Sequence, residues 1–228
     1  MTARELASRI DHTFLKAAGA PEAIEALCDE ARRYRFACAM VNPAEVARAA
    51  ALLEGSGVRV GTVVGFPLGQ NTVRTKCAEA VEAVQDGATD LDFVLNIRDL
   101  RRKSADDLLE DLLLLNLTPK KVSDDVVTKL ILECCELTDE EKVLACRLAK
   151  KAGFDFVKTS TGFGSGGATA EDVALMRRTV GRSIGVKAAG GIRSLDDALK
   201  MIAAGANRIG CSASVSIVES CRAAYSAS

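Results

Sequence analysis

The 228-residue sequence has no tryptophan and a single histidine, His12, and only 4% of its residues are aromatic. So few rings argue against a stacking platform for single-stranded nucleic acid. One histidine cannot complete a zinc-finger pattern, and none of the eight cysteines (28, 38, 77, 134, 135, 146, 211 and 221) forms C-x-x-C. The neighbours Cys134 and Cys135 are awkward disulfide partners, because adjacent Cα atoms are only about 3.8 Å apart. Cysteines that fall in apolar helical and strand-like stretches read as small buried hydrophobes. Long apolar runs are missing too. Arg4, Glu5 and Arg9 interrupt the N-terminus, so no signal-peptide core is expected, and the run Leu112 to Leu115 is far short of the roughly 18 residues that span a bilayer. Charge of one sign is also lacking: 30 Lys and Arg against 31 Asp and Glu leave a net charge of −1. That balance gives no general attraction to nucleic acid or anionic lipid. These absences point to a cytoplasmic protein with neither nucleic-acid nor membrane partners.

What is present is ordinary for a globular chain: 48% hydrophobic and 27% charged residues. Its length suits one domain, taken as residues 1–228, with enough buried surface to need no disulfide or metal. Apolar runs at 9–13, 36–42, 58–66, 89–97, 127–133, 154–160, 185–190 and 207–212 read as eight strands. Several lack strict alternation, as strands buried on both faces do. Amphipathic segments lie between them. Thr138-x-x-Glu141, Thr169-x-x-Asp172 and Ser194-x-x-Asp197 read as helix starts, and Gly55, Gly87, Gly153, Gly181 and Gly205 as helix ends. Eight strands alternating with helices fit an α/β fold, best a (β/α)8 TIM barrel with a short N-terminal helix; a doubly wound open sheet is the alternative. The stretch 98–126 resists this pattern. A helix is expected near 104–115, broken by Pro119, followed by an exposed irregular connection.

Active sites of β/α barrels gather at the C-terminal ends of the strands. Lys158 ends FDFVKTS, where burial would lower its pKa toward the neutral amine that a Schiff-base nucleophile needs. A lysine that merely reaches out of the strand end is the plainer reading. Lys187 lies in the next strand at similar depth, and a second cation there would push Lys158 down further. Asp92 in TDLDFVLN, on one strand face with Asp90, is either a structural ion pair or a proton-transfer carboxylate. Three Gly-rich segments, TSTGFGSGGAT (159–169), AAGGIRS (188–194) and IGCSAS (209–214), converge on the same end and could cradle an anion with backbone N–H groups. The spacing of Gly162, Gly164 and Gly167 also matches a dinucleotide loop, but the next strand carries Lys187 where that fold needs an acid. His12, alone near the N-terminus, reads first as a structural residue.

Taken together, IDHTFLK (10–16), VVGFPLG (63–69), DLDFVLNI (90–97), LTDEEK (137–142), GFDFVKTSTGFGSGGAT (153–169) and GVKAAGGIRS (185–194) resemble the deoxyribose-phosphate aldolase family, class I aldolases. The resemblance implies a barrel that reversibly splits 2-deoxy-D-ribose 5-phosphate into acetaldehyde and D-glyceraldehyde 3-phosphate without metal or cofactor, with bond scission expected at C3–C4. By position it implies Lys158 as the Schiff-base lysine, Lys187 as the lysine that perturbs it, and Asp92 as general acid/base. Substrate would lie against Asp11, Thr13, Lys129, Gly162, Gly190, Gly191, Arg193 and Ser212. A small phosphosugar is thus the expected partner, and a dimer or tetramer of identical chains the expected assembly. A transaldolase-like enzyme and a non-catalytic phosphosugar-binding barrel are the alternatives. The sequence departs from the family pattern at Met40, Cys134, Cys211, Ala213 and Ser214; Ala213 removes one hydroxyl expected beside the phosphate. Tyr225 is expected to lie in solvent rather than over the site.

Overall fold

A computed structural model describes residues 1–226. Eight strands, β1 (Ile10–Phe14), β2 (Cys38–Val41), β3 (Arg59–Val64), β4 (Asp90–Val94), β5 (Val127–Ile131), β6 (Phe156–Lys158), β7 (Gly185–Ala189) and β8 (Arg208–Cys211), all pair in parallel. They follow one another in sequence order and close into a barrel, β8 bonding back to β1. The eight apolar runs therefore form the barrel, and the open-sheet alternative falls because no edge remains.

Alternation along each strand assigns the two faces. Outward side chains such as Val41, Val60, Leu91, Phe93, Leu130, Val157, Val186 and Ile209 join one core between barrel and helices. The inward face divides. On β2, and on β3 beyond Arg59, it is apolar, with Cys38, Met40 and Val63 packed on Leu15. On β4 to β8, and at Asp11 of β1, it carries charge. An apolar run with charges on one face is thus a strand with a dry outside and a polar inside.

The outer layer holds α1 (Ala3–Ala7), α2 (Ala23–Tyr34), α3 (Val46–Leu53), α4 (Val73–Gln85), α5 (Ile97–Arg102), α6 (Ala105–Lys120), α7 (Asp139–Lys151), α8 (Ala170–Val180), α9 (Leu195–Ala203) and α10 (Ser214–Ser226). Capping boxes at Thr138–Glu141 and Ser194–Asp197 open α7 and α9; Thr169 caps α8 through its side chain alone. Not every helix ends at a glycine. α2 closes on Arg35, in the left-handed region at φ 55°.

The stretch 98–126 corrects the expected irregular connection. It forms α5 and α6, and α6 runs through Pro119. A proline in the last turn forfeits only one intrahelical hydrogen bond. The turn still closes, with Lys121 N donating to the Leu117 carbonyl and Val122 N to that of Pro119. Leu108, Leu112, Leu115 and Pro119 are buried along the helix. Asn116 anchors it, donating to the Ala152 carbonyl at 2.8 Å and accepting from the Thr128 hydroxyl at 2.5 Å. All eight cysteines are free; Cys135 is exposed and Cys77 half-buried, and the other six are buried. No helix among the described residues is long and apolar enough to cross a membrane.

Candidate active site

Strand register brings the charged side chains together. Lys158 pairs in register with Lys187 across β6 and β7, and Asp92 with Lys129 across β4 and β5. Inward alternation then points all four into the barrel, where Asp11 of β1 joins them. Asp92 lies at the centre. Its Oδ2 accepts from Lys158 Nζ at 2.8 Å and from Lys187 Nζ at 2.7 Å, while Oδ1 faces Lys129 Nζ at 3.1 Å. Lys187 also pairs with Asp11 at 2.5 Å, and Asp11 with Arg208 at 2.8 Å. Deeper in the barrel, Lys129 meets Asp90 at 2.5 Å, and Arg59 closes the cluster from the other side of Asp90. Gly210 leaves room for this: a Cβ there would lie 3.0 Å from Lys187 Cε.

The three lysines differ in how many carboxylates they meet. Lys129 and Lys187 each have two, Lys158 only Asp92. Their proton affinities divide accordingly. Burial lowers the pKa of Lys158, Asp92 opposes it and Lys187 adds to it, and the result is about 8. Burial would lower Lys187 as well, but Asp11 and Asp92 outweigh it and the pKa is raised; for Lys129, Asp90 and Asp92 do the same. Burial would raise Asp92, but Lys129, Lys158 and Lys187 hold it well below the usual carboxylate range. Asp11, against burial, is drawn to about 2 by Lys187, Arg208 and Lys129. The cluster thus contains an amine partly neutral near pH 7, beside a carboxylate and a second, firmly protonated amine.

Above the cluster a cavity of about 280 Å³ opens at the C-terminal ends of the strands, and Lys158 forms part of its wall. Of the side chains and loops expected there, Thr13, Gly162, Gly190, Gly191, Arg193 and Ser212 line it with Lys158. Asp92, Lys187, Asp11 and Lys129 do not; they lie buried among the ion pairs of the cluster. Asp11 and Lys129, expected against the sugar, are therefore placed behind the wall. The Thr13 hydroxyl donates to the Asp11 carbonyl at 2.9 Å. A roomier depression of about 580 Å³, lined by Ala170, Arg178 and Lys200 among others, lies on the helical layer and holds none of these groups.

The Gly-rich segments meet at the cavity. Gly190 has φ 90°, which only glycine adopts freely, and its carbonyl accepts from Ala168 N at 3.0 Å, so the loops after β6 and β7 are tied together. A Cβ on Gly167 would collide with that carbonyl. Ala213 does not line the cavity but packs against the core, so the hydroxyl its position lacks would not face a ligand there directly. Met40, Cys134 and Cys211 are buried, Met40 in the apolar inner wall and Cys134 with its Sγ 3.8 Å from Met176 Sδ. The Tyr225 side chain lies outside the described residues.

His12 points outward from β1. Its Nδ1 lies 2.9 Å from Ser214 Oγ and its Nε2 2.7 Å from Glu30, so it ties β1 to α10 and α2, as the structural reading of it expects. Sequence reasoning missed Glu133. This residue, just beyond β5 and 8% exposed, receives the Thr161 hydroxyl and backbone N–H. A carboxylate ending an apolar strand at the same barrel end as Lys158 was the available signal.

Comparisons with known proteins agree with this geometry. A family model described as DeoC/LacD family aldolase matches residues 6–217. The deoxyribose-phosphate aldolase of Bacteroides thetaiotaomicron is 55% identical over 227 residues, covering 96% of this chain and 91% of its own. That of Caldanaerobacter subterraneus is 55% identical over 214 residues, covering 94% and 92%. The tetrameric deoxyribose phosphate aldolase from Aeropyrum pernix superposes with a TM-score of 0.87 at 35% identity, covering 96% of this chain and 92% of that one.

Proposed function

The chain belongs to the DeoC/LacD aldolase family, and from that premise we infer a class I aldolase that reversibly splits 2-deoxy-D-ribose 5-phosphate into acetaldehyde and D-glyceraldehyde 3-phosphate. The observation that carries the site assignment is the asymmetry among the buried lysines. Of the three lysines in the barrel cluster, Lys158 alone lines the cavity and alone has a lowered pKa, about 8; Lys76, also buried and lowered, is tied outside the barrel to the Gly69 and Val94 carbonyls.

In the cleavage direction, neutral Lys158 Nζ adds to C1 of the open-chain sugar, and loss of water gives an iminium. A base takes the C3 hydroxyl proton. The C2–C3 bonding pair moves into the iminium, leaving an enamine on Lys158, and C3 departs as the aldehyde carbon of glyceraldehyde 3-phosphate. Carbon count corrects the bond expected from the sequence. Acetaldehyde carries C1 and C2, so the break lies between C2 and C3, not between C3 and C4. Protonation of the enamine at C2 and hydrolysis then release acetaldehyde and restore the amine.

Asp92, ionised and hydrogen-bonded to both Lys158 and Lys187, is placed to pass protons between them, through water where a gap must be bridged. Lys187 supplies the positive charge that keeps Lys158 partly neutral. The phosphate would rest on the loops at Gly162, Gly190, Gly191 and Ser212, with Arg193 at the rim. Thr13 would face the sugar, while Asp11 and Lys129 act from behind the wall by holding Lys187 and Asp92. Residues 1–228 are read as one barrel unit. Self-assembly is supported by the Aeropyrum tetramer, and a reducing cytoplasm by the eight free cysteines.

The test is covalent trapping. The protein is incubated with acetaldehyde, reduced with borohydride, and the adduct mapped by mass spectrometry. An adduct on Lys158 that Lys158→Leu abolishes supports the assignment; an adduct on another lysine, or on none, overturns it.

A further inference from the structure

We propose that Glu133 is a positioning residue that sets the enzyme's preference for phosphorylated substrate, by latching the loop 161–163 against the mouth of the barrel. The inference rests on the aldolase reading and extends it to a side chain that does not line the cavity.

The latch is built from one carboxylate and one short segment. Glu133 sits in the left-handed region, φ 58° and ψ 65°, a conformation that costs a non-glycine residue of the order of 1 kcal/mol or more. That turn brings its carboxylate to Thr161, whose N–H lies 3.3 Å from both oxygens and whose hydroxyl donates to Oε2. Thr161 Oγ in turn accepts from Phe163 N at 3.0 Å. Gly164 completes the fit, since a Cβ there would lie 3.2 Å from the Glu133 carboxyl carbon. Thr161, Gly162 and Phe163 all face the cavity, and Glu133 holds them from behind. Thr161 is buried, so without the carboxylate its two donors lose their partner, and the loop must move to satisfy them.

Lys158 is held by other means. Its carbonyl accepts from Leu132 N at 2.9 Å, the next residue, Thr159, donates its N–H to the Lys187 carbonyl at 3.1 Å, and its ammonium rests on Asp92. Loss of Glu133 therefore loosens the loop that meets the phosphate and leaves the reacting amine in place. The two ends of the site come apart energetically, and substrates with and without phosphate read them separately.

The experiment compares Glu133→Ala, Glu133→Gln and Thr161→Val with the unsubstituted enzyme on 2-deoxyribose 5-phosphate and on free 2-deoxyribose. Binding of glyceraldehyde 3-phosphate is measured without turnover by calorimetry. Glu133→Ala should raise KM for the phosphosugar and the Kd for glyceraldehyde 3-phosphate by about 10-fold. The acetaldehyde–borohydride adduct at Lys158 should form at the unsubstituted rate, and kcat/KM for free deoxyribose should change less than about 2-fold. Glu133→Gln, which keeps the shape and one acceptor, should fall between, and Glu133→Ala combined with Thr161→Val should lose no more than the larger single change. Equal losses on both sugars in Glu133→Gln, or an unchanged Kd for glyceraldehyde 3-phosphate, overturn the latch. Failure of the adduct in the unsubstituted enzyme instead overturns the Lys158 assignment, while the calorimetric arm still decides the latch.

Discussion

Replacing Lys187 with methionine should silence Lys158 at neutral pH and spare it at high pH. Asp92 Oδ2 bridges the two ammoniums at 2.8 and 2.7 Å, which puts them about 5 Å apart. At an effective dielectric of about 20, two unit charges at that distance repel by roughly 3 kcal/mol, or about 2 pKa units. Burial is the larger cause of the lowered Lys158 value, and Asp92 works against it. Without Lys187, burial and Lys129 must oppose a carboxylate that has lost a competing cation, so the Lys158 pKa should climb from about 8 to about 10. At pH 7 an amine of pKa 8 is about one-tenth neutral and one of pKa 10 about 0.1% neutral, a loss of about 100-fold. At pH 10 the deficit should shrink to about 2-fold.

The substitution orphans neither carboxylate. Asp11 keeps Arg208, and Asp92 keeps Lys129 and Lys158. The unbranched methionine retains the stem that packs beside Gly210. The assay is the initial rate of adduct formation with acetaldehyde under borohydride from pH 6 to 10.5. It reads imine formation and not the later proton transfers. Asp92→Asn supplies the opposite sign, since removing the carboxylate should move the inflection below 8. An inflection within half a unit of the unsubstituted value in folded Lys187→Met, or shifts of the same sign in the two variants, would refute the electrostatic account.

Two further outcomes concern stability. Asp11 is drawn from 3.8 to about 2 by its cations in spite of burial. A depressed carboxylate contributes stability that is fully present above its unfolded pKa and is lost as pH falls through the folded value, here about 2 kcal/mol across roughly pH 4 to 2; in urea melts Asp11→Asn should flatten that acid slope, and an identical slope would contradict it. Asn116→Ala should cost about 1–3 kcal/mol by leaving the Ala152 carbonyl without its side-chain donor in a buried site, while the Thr128 hydroxyl keeps Asp155 at 3.0 Å. It should leave adduct formation at Lys158 unchanged, because Thr128 lies on the outer face of β5, and a loss below about 1 kcal/mol in urea would contradict the anchoring role.

The barrel was legible because its signals are local. Each strand is a short run bounded by a glycine or a capping residue, and the inward charges of β4, β5, β6 and β7 stand out against apolar neighbours. The failure at 98–126 came from weighing Pro119 as an absolute stop. A proline one residue from a helix end forfeits a single bond, and Asn116 supplies an anchor through side-chain contacts to residues 128 and 152 that no local pattern displays. Glu133 was hidden for a related reason. Its role depends on a left-handed backbone at a non-glycine position and on a partner 28 residues away. Asp11 and Lys129 were expected against the sugar but lie behind the cavity wall, because alternation fixes which face a side chain takes and not how deep it lies.

Depth also fails to say which lysine is the nucleophile, since Lys158 and Lys187 are direct neighbours in the strand register. Partner number separates them. A buried ammonium flanked by two carboxylates is held charged, and one that shares its only carboxylate with a neighbour is not. Lys187 reaches Asp11 because β7 is next to β8 and β8 next to β1; Lys158, one strand further round, does not reach it. Closure of the sheet is therefore part of the chemistry. An open sheet would leave β1 at one edge and β8 at the other, remove Asp11 from Lys187, and weaken the asymmetry that leaves one amine partly neutral. Net charge near zero follows from the same economy: an anionic substrate is met by a few fixed cations and backbone N–H groups at one mouth, where low dielectric makes each count, and the rest of the surface can stay balanced.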